Sequence, residues 1–169
     1  MNGLTNLYNM SKDNKWVIFD LDGTLADIEI RRKLASKSGK MDWDIFFSDK
    51  LVADDDPNQP VIMMAQALKA FGYKIAIFSG RSASSEQVTK EWLKEHEVEY
   101  DILKMRPTKH PFKFMPDEKL KLGWFEEVFV NPEDMDESEV VAVFDDRDKV
   151  VKMWREIGLT CMQVAPGNF

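Results

Sequence analysis

Four short segments hold side chains that could do chemistry together. Asp20-Leu21-Asp22-Gly23-Thr24 follows an apolar run at 16–19, and Ser79-Gly80-Arg81 follows another at 75–78. Asp145-Asp146-Arg147 follows the run at 140–144, and Lys119 lies early in a helical stretch after the run at 102–105. Three carboxylates, Asp20, Asp145 and Asp146, make an oxygen-rich site suited to hard Mg²⁺. Without a cation they would repel one another. Ser79 and the Gly80 amide offer neutral donors to phosphate oxygens, and Lys119 adds a positive charge. In such a phosphate-and-magnesium site one carboxylate can attack phosphorus to give an aspartyl-phosphate. The other carboxylate of the first segment can protonate the leaving oxygen and later activate water.

Positioning these groups is the task of the elements between them. A fifth apolar run at 160–164 completes a set of five candidate strands. Helical patterns alternate with them at 58–71 (Val61, Met64, Ala65, Leu68 and Phe71 on one face), 86–96, 117–128 and 147–157. Pro60 near the start of the first and Gly72 just past its end are helix punctuation. Alternation of this kind predicts an α/β fold: a three-layer sandwich around a mainly parallel, Rossmann-like sheet. Open sheets of that type bind ligands at the carboxyl ends of their strands, where all four segments fall.

The stretch 27–57 breaks the rhythm. It opens with a basic helical candidate at 28–40, passes Trp43, Phe46 and Phe47, and ends in Asp54-Asp55-Asp56. A small helical cap inserted over the site is the economical reading; an ordinary crossover helix with a long loop is the alternative. Packing within the cap is expected of its aromatics, with stacking on a nucleobase as the alternative. Residues 1–14 read as a polar leader, with Met10 an alternative start, and 15–169 as one domain.

Bulk properties narrow the function classes. The chain has 169 residues, a net charge of −7 and a single cysteine, Cys161. That charge argues against a broad basic surface for duplex nucleic acid. One buried-looking thiol and no apolar run of membrane-spanning length point to a reducing, cytoplasmic setting. Yet the loop 104–121 carries six Lys or Arg against two acids, a local charge of +4 that can steer an anionic substrate. Arg106 and Arg81 are candidate contacts to substrate phosphate or base, with a salt-bridge role open for Arg106. Arg147 is expected to pair with an acid, and His96 and His110 have no telling neighbours.

The segments DLDGTLAD, FSGR, Lys119 and FDDRD resemble the four motifs of the haloacid dehalogenase (HAD) superfamily of phosphotransferases. By that resemblance Asp20 is the nucleophile and a Mg²⁺ ligand. Asp22 is the general acid/base and lends its backbone carbonyl to the metal. Ser79 and Lys119 hold the phosphoryl group, and Asp145 with Asp146 completes the metal site. Lys113 and Lys121 lie near Lys119, which is preferred for its spacing to Trp124. The C-terminal DDRDKVVKMWREIGLTCMQVAPGNF, and TKEWL followed by a strand and Arg106, resemble the phosphatase domain of phage-type polynucleotide kinase-phosphatases. That likeness implies removal of 3′-phosphates from nucleotides or nucleic acid ends. No GxxxxGK[ST] loop is present, so the expectation is the phosphatase alone. A 5′-nucleotidase acting on free (deoxy)nucleoside monophosphates is the alternative enzyme. A non-catalytic phosphate-binding module is a third reading, weakened by Asp22, since binding alone needs no general acid.

Overall fold

A computed structural model describes residues 14–37, 39–130 and 139–168. The expected leader lies outside the described residues except for Asn14. In chain order the elements are β1 (Lys15–Phe19), β2 (Ala26–Asp27), α1 (Glu29–Ala35), β3 (Ser36–Lys37), β4 (Lys40–Met41), α2 (Trp43–Phe46) and α3 (Asp49–Ala53). There follow β5 (Asp56–Pro57), α4 (Gln59–Ala70), β6 (Lys74–Ser82), α5 (Glu86–Glu95), β7 (Ile102–Arg106) and α6 (Asp117–Phe125). Last come β8 (Glu139–Asp145), α7 (Asp148–Glu156) and β9 (Cys161–Gln163).

The main sheet runs β7-β6-β1-β8-β9 and every pairing in it is parallel. Parallel sheets are covered on both faces, which is why their strands read as unbroken apolar runs. On β1, Val17 and Phe19 point into one core with Ile62, Ala65, Trp92 and Leu93. Trp16 and Ile18 point into the other, with Leu120, Trp124, Val151 and Trp154. Chain order reverses at β1, which is flanked by β6 and β8. This is the switch point at which open α/β sheets form their ligand crevice.

Two adjustments to the expected pattern matter. Helix α4 buries Val61, Ile62 and Ala65, whereas Met64 and Phe71 are exposed. The helix is thus rotated so that Ile62 takes the inward place expected of Met64. Strand β6 continues through Ser82, so Ser79-Gly80-Arg81 belongs to the strand and does not follow it. Pairing with β7 jumps from Ser79↔Met105 to Ser82↔Arg106, a bulge at the strand end. Bulges of this kind re-aim side chains beside sites.

Between β1 and α4, strands β2 and β5 pair antiparallel and bring the two ends of the 27–57 stretch together. The stretch holds three short helices and the β3–β4 ribbon. Phe46 is buried there while Trp43 stacks on Phe47 with ring centroids 5.8 Å apart. The cap aromatics pack on one another.

Candidate active site

The acids of the first segment owe their place to the central strand. Asp20 N–H donates to Phe144 O at 2.8 Å, carrying the β1–β8 ladder past the last strand residue. A tight turn follows, with Ala26 N–H bonded to Leu21 O at 2.9 Å and Gly23 N–H to Ala26 O at 2.8 Å. Gly23 has φ of +88°, and a Cβ there would collide with the Asp146 carboxylate. Only glycine permits both the backbone conformation and that approach. Asn58, just ahead of α4, donates its side-chain amide to Thr24 O at 2.9 Å and ties down the turn.

Asp20, Asp145 and Asp146 come together and are all buried. One oxygen from each lies within 4.8 Å of the others. Burial raises the Asp20 carboxyl well above its ordinary range; Lys121 opposes the rise, and the charges of Asp145 and Asp146 add to it. Burial, then Asp145, lifts Asp146 to about 6. Three hard oxygen donors whose mutual repulsion one lysine only partly offsets fit a divalent cation such as Mg²⁺.

The lysine of the site is Lys121. Its Nζ donates to Asp20 Oδ1 at 2.6 Å and to Asp145 Oδ2 at 2.7 Å. Burial would lower its pKa, but Asp145 and then Asp20 raise it above the ordinary lysine value, so it stays charged. Lys119, the residue expected here, is exposed. Two positions on a helix differ by about 200° of rotation, so the two lysines leave α6 on opposite sides. The buried stripe Leu120–Trp124 carried the signal: Lys121 lies one turn before Trp124, on its side of the helix.

Asp22 sits in a separate network. Arg31 of α1 donates to Asp22 Oδ1 at 2.7 Å and grips Asp55 at 2.9 and 2.8 Å. Arg81 donates from Nε to Asp22 Oδ1 at 3.0 Å, with a second, very short bond to the same oxygen from its terminal nitrogen. It also reaches Asp55 Oδ2 at 2.9 Å and Thr89 Oγ1 at 3.1 Å. Burial works against an ionised Asp22, but Arg81 and then Arg31 outweigh it and hold the carboxyl at about 2. Arg81, expected at substrate, is fully buried with all its nitrogens engaged. Sequence reasoning missed Arg31 and Asp55, which meet across 24 residues of chain.

Ser79 is buried and its Oγ accepts from the Arg81 N–H at 3.1 Å. At Gly80 an added Cβ would lie 2.9 Å from Asp117 Oδ1, so a larger residue there would displace the Asp117 carboxylate. Arg106 clamps the region from outside. Its Nε donates to Gly80 O at 3.0 Å, its NH1 to Phe112 O and Met115 O at 2.9 and 2.6 Å, and its NH2 to Asp117. Asp117 also pairs with Arg147, the structural role expected of that arginine. A shallow hollow of about 810 Å³ lies away from this site, beside Gln66, Lys94 and Tyr100.

Comparisons with known proteins identify the family of the chain. The model of the polynucleotide kinase PNKP phosphatase domain matches residues 14–169. A curated relative from Autographa californica nuclear polyhedrosis virus, named by inference a bifunctional polynucleotide kinase/RNA ligase, is 33% identical over 143 residues. That match covers 83% of this chain and 18% of the relative. A chain of the solved Pnkp1/Rnl/Hen1 complex is 32% identical at a TM-score of 0.72, over 92% of this chain and 47% of that one. The haloacid dehalogenase-like hydrolase SP0104 from Streptococcus pneumoniae shares the fold, with a TM-score of 0.60 and 14% identity over 90% of this chain and 85% of its own. The chain therefore spans less than a fifth of the viral relative and about half of the solved chain. It belongs to the family of polynucleotide kinase PNKP phosphatase domains and is a HAD-type phosphatase.

Proposed function

We propose that this chain is a Mg²⁺-dependent phosphomonoesterase that removes 3′-phosphates from nucleotides or nucleic acid ends through an aspartyl-phosphate on Asp20. The observation that carries the reading is Asp20 itself. It stands at the end of the central strand between Lys121 and the Asp145–Asp146 pair, in a chain of the PNKP phosphatase family. Asp20, Asp145, Asp146 and the Asp22 carbonyl would hold Mg²⁺, which neutralises the carboxylates so that a phosphate can approach them.

The chain's own residues account for the chemistry. Lys121, the Ser79 hydroxyl and the Gly80 amide hold the phosphoryl oxygens in place of the expected Lys119. An Asp20 oxygen forms a bond to phosphorus as the ester P–O bond breaks, and the leaving alkoxide takes a proton from Asp22. In the second step water gives a proton to Asp22, its oxygen bonds to phosphorus, and the Asp20–phosphorus bond breaks. Asp22 is ionised in the free protein, as accepting that proton requires. The proton for the first step arrives with the substrate, as the acidic proton of a phosphate monoanion that passes to Asp22 on binding. Arg31 and Arg81 position this carboxylate, and Arg106 positions the Gly80 turn.

We place the enzyme in the cytoplasm, as the reduced Cys161 suggests; among the described residues no helix is long and apolar enough to cross a membrane. The test is phosphate release with and without Mg²⁺ from a 3′-phosphorylated oligonucleotide, a 3′-mononucleotide and a 5′-mononucleotide. Mg²⁺-stimulated release from the 3′-phosphates is the expected result. Preference for the 5′-mononucleotide would establish the nucleotidase reading instead, and no release from any of them would leave only a phosphate-binding module.

A further inference from the structure

Arg106 joins a second surface to the site. Through it the carbonyl of Gly80 and those of Phe112 and Met115 lie one guanidinium apart, so the segment 107–116 is anchored against the turn that holds phosphate. This segment exposes Phe112 by 45% and Phe114 by 75%. Exposed Lys109 and Lys113 alternate with them, and neither is ion-paired among the described residues. The Lys113 Nζ lies 5.6 Å from the Phe114 ring centroid, and the His110 ring meets that ring edge-on at 6.5 Å. Large aromatics left in water, clustered in one short loop, mark an interaction surface. Interleaved with lysines, they have the composition of a platform on which bases stack while cations meet the phosphates.

The cap also exposes large apolar groups, Ile30, Leu34 and Trp43, but its aromatics are held in a cluster of their own. Trp43, Phe46 and Phe47 pack against one another, and Asp54-Asp55-Asp56 adds negative charge beside them. Lys109 and Lys113, unpaired among the described residues and in a chain of net charge −7, favour a polyanion on the loop.

We propose that segment 107–116 is the docking surface for single-stranded nucleic acid immediately 5′ of the nucleotide whose phosphate enters at Asp20. Phe112 and Phe114 stack on bases, and Lys109 and Lys113 meet backbone phosphates. The surface makes an oligonucleotide end a better substrate than a free nucleotide. This deepens the 3′-phosphatase reading and rests on it.

Two measurements separate the two ideas. The first is the ratio of kcat/KM for a 3′-phosphorylated tetranucleotide to that for the 3′-mononucleotide. The ratio should exceed one in the wild type and fall about tenfold in the double variant Phe112→Ala/Phe114→Ala, chiefly through KM. Phe114→Trp, which keeps a stacking face, should restore it in part, which a merely structural loop would not do. The second is fluorescence anisotropy of a labelled single strand with a 3′-phosphate, bound to Asp20→Asn protein, which needs no turnover. There the double Phe variant should bind about tenfold more weakly. Lys109→Ala/Lys113→Ala should lower the salt slope of log K by about 1.4. Unchanged binding in both double variants, a wild-type ratio of one, or tighter binding to duplex than to single strand would each overturn the docking surface. A wild type that hydrolyses the mononucleotide with a ratio of one sinks the surface alone. A protein that binds the strand through this loop but releases no phosphate sinks the phosphatase reading and upholds the surface.

Discussion

Lys121 bridges two of three crowded carboxylates with its one positive charge, so the proposed site depends on it more than on any side chain but Asp20. Its two bonds of 2.6 and 2.7 Å link the proposed nucleophile to the proposed metal site. Removing one preorganised donor from a phosphoryl or oxyanion site costs about 10²–10³ in rate. Lys121→Met should therefore lower kcat/KM on the 3′-mononucleotide by at least about 10²-fold, while Lys119→Ala stays within about twofold. Steady-state kinetics on the two variants decides the matter, and the reverse pattern would return the role to Lys119. Asp20→Asn makes a separate prediction. It removes the attacking oxygen without removing bulk, so hydrolysis should vanish. The melting temperature should hold or rise, because the carboxylate it replaces is one that burial already disfavours when charged. A large fall in melting temperature would show that Asp20 supports the fold more than the chemistry.

The elements explain why some of this was legible in the sequence and some was not. Apolar runs that stop at Asp20 and Asp145 are visible because a strand buried on both faces has no polar residue until its end. The paired acids there stand out for the same reason. Lys119 and Lys121 differ only in helical phase, and the phase becomes clear once Leu120 and Trp124 are known to face the sheet. The Arg31–Asp22–Arg81–Asp55 network has no local sequence signature at all. It depends on α1, the end of β6 and the loop before β5 meeting in space, which no periodicity reports. The turn after β1 is the element on which the site depends most. Gly23→Ala adds left-handed strain of about 1–2 kcal/mol and a collision with Asp146. Thermal melts should show a loss of about 2–8 °C in a protein of this size, with activity falling alongside. An alanine variant as stable and active as the wild type would mean that the turn can relax away from Asp146.

Taken as a whole, the molecule carries more buried negative charge than its own cations relieve, and this should appear in its stability against pH. Asp55 and Asp146 are both held at about 6, in each case mainly by burial, against an ordinary value of 3.8. A carboxyl with a raised folded-state pKa contributes stability that is fully present below 3.8 and lost as pH rises through about 6. Asp22 has the opposite sign. Arg81 and Arg31 hold it at about 2 despite burial, so its contribution is present above 3.8 and lost as pH falls towards 2. Metal-free protein should accordingly be most stable near pH 4–5. It should lose at least about 5 °C in melting temperature by pH 7, from about 1–3 kcal/mol at each raised acid. Mg²⁺ should reverse much of that loss. At pH 7 it meets ionised ligands and stabilises by mass action, about 2.7 kcal/mol at a hundredfold excess over its Kd. At pH 5 it must first displace protons from Asp20 and Asp146, so its effect should be smaller. Melting curves at pH 4, 5, 6 and 7, each with chelator or with Mg²⁺, measure both effects together. A metal-free melting temperature that climbs steadily to pH 7, or a Mg²⁺ shift equal at pH 5 and 7, would show that the three acids do not share the charge burden assigned to them.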